Sequence, residues 1–208
     1  STGQPISMRP LLLPAFLLLL AVSGTAHSPV TASGSAATQS RVHVWLPIAT
    51  TDGPSCSPSA EESSLAAIIR SHPEQQRPSM TCHPLLQELA RAHAQDMAVN
   101  HFIGHINLAG IGPDERLRRA GYTLPDWYGN DPTSNTVESL SVGGINATFT
   151  WNGLAASPGH NSHLLGKTGV AAQQTNYGVG FVYVPGSDRE FYWVVVTAPP
   201  PNAVMLQP

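Results

Sequence analysis

Apolar positions in this chain recur at two periods. In "EESSLAAIIRSH", residues 61–72, Leu65, Ile68 and Ile69 fall on one side of a 3.6-residue repeat behind two leading acids, which predicts a short amphipathic helix ended by Pro73. "PLLQELARAHAQDMAVNHF", residues 84–102, repeats the pattern at Leu85, Leu86, Leu89, Ala90, Ala94 and Met97, and Pro84 stands at the first helical position. "GPDERLRRAGY" places two acids after Pro113 and two arginines before Gly121, so its charges suit the dipole of a third, shorter helix. "ATFTWNGLAASPGHNSHLL", residues 147–165, is also helical in pattern but is interrupted by Gly153 and by Pro158–Gly159.

The period then changes. "TVESLSV" reads as a short strand, while "YGVGFVYV" and "EFYWVVVTA" read as two longer ones joined by a turn at Pro185 to Asp188. Three successive valines, Val194 to Val196, imply a strand covered on both faces, so helices must lie on both sides of the sheet. The order helix, helix, strand, helix, strand, strand predicts an α+β fold with a small central sheet between helices.

Upstream, Met8 and Arg9 precede "PLLLPAFLLLLAVSGTA", which ends at Ala26 and has the form of a secretory signal peptide too short to span a bilayer comfortably. Residues 27–60 are rich in Ser, Thr, Ala, Pro and Gly, apart from "VHVWLPI", and read as a linker. Residues 61–198 then have the length of one domain, and residues 199–208 form a Pro-rich tail. With 11% charged residues and a formal net charge of -3, the chain has no basic cluster to attract nucleic acid or an anionic membrane surface. In an oxidising compartment the two cysteines, Cys56 and Cys82, favour a disulfide over two free thiols.

The candidate chemistry begins at "NHFIGH". His101 and His105 have the spacing of a helical zinc protease, but Phe102 occupies the position of the activating glutamate. Gly104 directly before His105 places that histidine at or beyond the helix end. "NAT" at Asn146 is an N-glycosylation acceptor in a host that performs the reaction, and Ser157 belongs to a Ser-Pro-Gly turn.

Taken together, "LLQELARAHAQDMAVNHFIGHIN", "DERLRRAGY", "VESLSVGG", "WNGLAASPGHNSHLLG" and the terminal hairpin resemble a secreted, bacterial-type member of the CAP superfamily. This superfamily comprises the cysteine-rich secretory proteins, antigen 5 and pathogenesis-related class 1, which share the SCP domain. The resemblance implies a three-layer α-β-α sandwich around a small antiparallel sheet. It also implies a cleft lined by His105, Glu138 and His160, with Val137 and Ser139 replacing the usual flanks of the glutamate motif. The family's second glutamate is missing, because no Asp or Glu occurs between Ser139 and Ser187. The arginine that often follows the second histidine is replaced by Asn161, which makes the cleft less positive.

Two imidazoles and one carboxylate can hold a divalent ion, zinc first, with His105 and His160 as ligands, or they can form a metal-free hydrogen-bonded cluster. His163, three residues after His160, either joins the cleft or supports the helix end. The resulting expectation is a secreted protein that binds a small-molecule, lipid or protein ligand, with no established catalysis. A metal-dependent, protease-like hydrolase is the alternative, and sterol or lipid binding is a further one. One carboxylate cannot serve both as third ligand and as base, which weighs against catalysis.

Overall fold

The computed structural model describes residues 55–201, so the signal-peptide segment, most of the linker and most of the Pro-rich tail lie outside the described residues. Helix α1 spans Ala60–Arg70. Ser59 Oγ accepts from the Glu62 amide at 3.2 Å while the Glu62 carboxylate accepts from the Ser59 amide at 2.8 Å, a reciprocal cap that satisfies two otherwise orphaned donors. Helix α2, Pro84–Val99, starts on Pro84 and stops at Asn100, so Gly104 and His105 lie beyond its end as the glycine requires. Helix α3 spans Pro113–Arg119. The irregular helical stretch resolves into α4, Ala147–Ala156, and α5, Pro158–Leu164, with the break at Ser157 and with Gly153 inside α4. Proline at position 158 cannot donate to the preceding turn, whereas a glycine in a helix only weakens it.

The sheet comprises β1 (Thr81–Cys82), β2 (Glu138–Val142), β3 (Asn176–Tyr183) and β4 (Phe191–Ala198), in the order β1-β3-β4-β2. The β3–β4 hairpin and the β4–β2 pair are antiparallel, as expected. The two-residue β1 adds a parallel edge, Thr81 to Asn176 and Cys82 to Tyr177, that hydrophobic periodicity could not reveal. Short elements also appear where no pattern predicts them: a 3-10 turn at Asp126–Tyr128 and helix α6, Gly169–Gln173, capped by Thr168.

Alternate residues of β4 feed two separate cores. Tyr192, Val194 and Val196 pack with Leu86, Ala90, Ala94 and Met97 of α2. Trp193 and Val195 pack on the other face with Leu65 and Ile69 of α1 and Trp151 and Leu154 of α4. The valine run is therefore covered twice, and the fold is a helix-sheet-helix sandwich. Among the described residues no helix is long and apolar enough to cross a membrane.

Cys56 and Cys82 form a disulfide with Cα atoms 6.2 Å apart. It holds the entry of the chain against the β1 edge, where the Ser57 amide also donates to Gln87 Oε1 at 3.0 Å and Arg91 donates to the Ser57 carbonyl at 2.7 Å. In the chain-entropy account, closing a loop of 26 residues contributes about 3 kcal/mol. Urea titration of a Cys56→Ser, Cys82→Ser chain is expected to show a loss of about that size. An unchanged midpoint would mean that the linkage does not constrain the unfolded chain.

Candidate functional site

The start of β2 is fixed before its side chains are placed. Asn135 Oδ1 accepts from the Glu138 amide at 3.0 Å, its Nδ2 donates to the Glu138 carbonyl at 3.2 Å, and the Val137 carbonyl accepts from the Thr197 amide at 2.7 Å. Strand alternation then sends Glu138 to the α2 face, opposite Val196, and Ser139 to the α1/α4 face, opposite Val195. Two polar clusters form back to back at one end of the sheet.

The first surrounds Glu138, whose side chain is 1% exposed. Its Oε1 accepts from His105 Nδ1 at 2.9 Å, and its Oε2 accepts from Arg116 Nη2 at 2.5 Å. Arg116 also donates through Nη1 to the His105 carbonyl at 2.6 Å and to the Ile111 carbonyl at 3.1 Å, fixing the loop that carries the histidine. His93, from α2, lies 3.7 Å from Glu138 Oε1 and donates its Nε2–H to the Gly104 carbonyl at 2.9 Å. Burial alone would push the Glu138 carboxyl up. The hydrogen bond from His105 and the charges of Arg116 and His93 outweigh it and hold the carboxyl below the usual carboxylate range. Burial pushes the His93 pKa below its ordinary value despite the nearby carboxylate.

His160, near the start of α5, faces His105 with ring centroids 6.4 Å apart. Burial first, and then the charge of His105, lowers its pKa. Thus His105, Glu138 and His160, distant in sequence, are brought into one neighbourhood, with His105 bonded to Glu138 and His160 beside it.

The second cluster is built on His163. Its Nδ1 lies 2.7 Å from Ser139 Oγ, and its Nε2 lies 2.7 Å from Thr197 Oγ1. The Thr197 hydroxyl donates to Gln174 Oε1 at 2.8 Å, so Thr197 can only accept from the ring. The imidazole is therefore protonated on Nε2, and its Nδ1 accepts from Ser139. Gln174 in turn donates to Tyr128 Oη and to the Thr136 carbonyl. Burial, reinforced by the charge of Arg77, pushes His163 down to about 3. The helix end that His163 is expected to support is held by Arg77, which donates to the His163 carbonyl at 2.7 Å and the Leu164 carbonyl at 2.8 Å.

A cavity of about 430 Å³ opens where the two clusters meet. Its wall includes Glu138, Ser139, Gly159, Ser162, His163 and Thr168. His101 is exposed, with φ 55°, and lies 3.5 Å from Asp188, apart from this region. Trp151, Tyr192 and Trp193 are core residues. Sequence reasoning missed His93, Arg116, Ser139 and Arg77 as neighbours of this region. Arg116 is not one of the two arginines before Gly121 whose charges suit the α3 dipole, and no pattern singled it out.

The donor set does not match a closed metal site. Both oxygens of Glu138 and both nitrogens of His163 are engaged, which leaves His105 Nε2 and the His160 ring. With metal–nitrogen bonds of about 2 Å and ring nitrogens about 1.1 Å from the centroid, two ligating rings have centroids about 5 Å apart in a tetrahedral geometry. The observed 6.4 Å would require the metal to lie almost on the line between them. Among the described residues, no group of three or more His, Cys, Asp or Glu side chains is arranged to hold a metal ion.

No protein-family model matches the chain, and no curated protein does. Solved structures do match. An extracellular protein containing an SCP domain from Bacillus anthracis is 19% identical with a TM-score of 0.51, covering 67% of this chain and 40% of that one. An outer surface protein from Borrelia burgdorferi is 18% identical with a TM-score of 0.51, covering 69% of this chain and 96% of that one. The chain thus spans well under half of the Bacillus protein, and at these identities the likeness is one of fold. These two structures show that the chain carries an SCP-like fold.

Proposed function

We propose that this protein acts outside the cytoplasm as a binding protein, holding a ligand in the cavity beside Glu138 without transforming it. The observation that carries this reading is the condition of Glu138. A general base needs a lone pair aimed at its substrate and a pKa near the working pH. Glu138 is buried, spends both oxygens on His105 and Arg116, and is held ionised. A hydrolase reading, in which Glu138 serves as base or third ligand, requires that network to be broken first. The cavity wall mixes Asn135, Thr136, Ser139, Ser162 and Thr168 with Val170, Ala171 and exposed apolar surface, so it does not by itself decide between a polar ligand and the sterol or lipid reading. An extracellular setting is supported by the disulfide, by the signal-like segment ending at Ala26, and by relatives described as extracellular and outer-surface proteins.

The test is a fragment titration followed by amide chemical shifts, with zinc as a separate titrant. Saturable shifts at Gly159, Ser162 and Ala171, with every fragment recovered intact, are expected. Zinc is expected to leave those shifts unchanged at micromolar concentration. Chelator-sensitive peptide hydrolysis lost in Glu138→Gln, or tight zinc binding lost in His105→Ala, His160→Ala, would overturn the reading.

A further inference from the structure

Resting on the binding-site reading above, we propose that the cavity between β2, α5 and α6 takes a small oxyanion, a carboxylate or phosphate group, whose charge answers that of the buried Arg77. Arg77 is 4% exposed. Its guanidinium donates to the carbonyls of Ala171, Leu164 and His163 at 2.7 to 2.8 Å and to Gln75 Oε1 at 3.3 Å. Every acceptor is a neutral oxygen, and no carboxylate among the described residues forms an ion pair with it. Burial pulls its pKa down to about 10, so it remains charged at neutral pH. A buried charge satisfied in hydrogen bonds but not in charge leaves a field in its surroundings, and low dielectric strengthens that field.

The field reaches the cavity. Ala171 and His163, whose carbonyls Arg77 holds, both line the cavity, and the Arg77 charge helps to depress the His163 imidazole. Two of the other charges nearby are matched, Glu138 with Arg116 and Lys167 with Glu74 at 2.5 Å, while burial raises the pKa of Asp114 against the hydrogen bonds from Thr136 and the charge of Arg118. Arg77 is the surplus cation. It offsets the loss of positive charge that Asn161 implied in the sequence.

The wall also offers unspent donors. Ser162 Oγ makes no hydrogen bond among the described residues. The Thr168 hydroxyl accepts from the Ala171 amide at 3.1 Å and keeps its own proton. Asn135 Nδ2 spends one of its two protons on the Glu138 carbonyl. Hydrogen bonds from such groups to an ionised oxygen are the strong kind, and they strengthen further beside an unpaired cation.

The experiment is calorimetric titration of the purified chain, at constant ionic strength, with sodium phosphate, sodium succinate, sodium chloride and glycerol in turn. Phosphate or succinate is expected to bind saturably at one site, and chloride and glycerol are not. The oxyanion that binds identifies the source of the charge. Ser162→Asp should abolish binding and raise the thermal midpoint, because the introduced carboxylate answers Arg77 itself. Arg77→Gln should also abolish binding where it folds, and Ser162→Asp decides the matter if it does not. Absence of saturable binding by both oxyanions, or binding undiminished in Ser162→Asp, would overturn the inference. Binding of glycerol or another neutral fragment in the cavity, without either oxyanion, would sink this inference and leave the binding-site reading standing.

Discussion

Arg116→Met is expected to lower the unfolding free energy by about 3–5 kcal/mol at pH 7, the cost of removing one partner from a buried ion pair. Glu138 would keep its burial and lose the cation on Oε2, the His105 carbonyl would lose its donor, and the Ile111 carbonyl would keep only the Asn107 amide. Methionine fills much of the vacated volume, so the loss reports the stranded charge more than a cavity. The pH dependence separates this from a packing defect. In the native chain the folded Glu138 pKa lies below its unfolded value, so the stability it contributes is present above about pH 4.3 and is lost as pH falls through the depressed folded value. Without Arg116 the burial effect has less to oppose it, the folded pKa rises, and Glu138 loses the stabilisation it gave the folded state above about pH 4.3. The variant should therefore lose less stability than the native chain between pH 5 and pH 3, although it starts lower. Urea titrations across that range measure both. A deficit under about 1 kcal/mol at pH 7 would show that Glu138 does not depend on this pair.

The fold was readable where a pattern was long and local. Leu86, Ala90, Ala94 and Met97 recur at helical spacing and do form the buried side of α2, and the valines of β4 are covered on both faces as a continuous apolar run demands. Gly104 correctly placed His105 beyond the helix. The elements that escaped are those with too few residues to show a period: β1 has two, and α6 is held by its Thr168 cap. The site was readable only in part, because its decisive contacts are between residues far apart in sequence. His105, Glu138 and His160 could be nominated by resemblance. Nothing local in "DERLRR" indicates that Arg116, rather than its arginine neighbours, turns inward to a carboxylate on β2. Nothing local at Arg77 indicates that it closes two helix ends across the fold. His163 illustrates the limit: the three-residue spacing from His160 suggested a shared face, yet strand alternation placed its partners, Ser139 and Thr197, on the sheet face opposite Glu138.

The other large effect is expected at Gly178 and Gly180, on the face of β3 that meets α2. An added Cβ at Gly178 would lie 2.2 Å from backbone atoms of Leu86 and Gln87, and at Gly180 it would lie 2.3 Å from those of Ala90 and Arg91. The obstacles are main-chain atoms inside a regular helix, which no rotamer change can move. The helix must lift from the sheet as a body, and overpacking of that kind costs about 1–3 kcal/mol per site, or more where nothing yields. Here the consequences extend to the site, because α2 carries His93 and leads into the loop whose Gly104 carbonyl His93 holds. Gly178→Ala, Gly180→Ala is therefore expected to lose at least about 3 kcal/mol and to disturb the amide resonances of His105 and Glu138, more than 30 residues away in sequence. Gly153→Ala is the matching control: it lies inside α4 with no atom within 4 Å of the new Cβ, so helix propensity alone should stabilise the chain by about 0.5–1 kcal/mol. Opposite signs for the two substitutions would locate the effect in the α2–β3 approach. Equal, small effects would mean that α2 is seated loosely enough to move, and that the geometry around Glu138 does not depend on it.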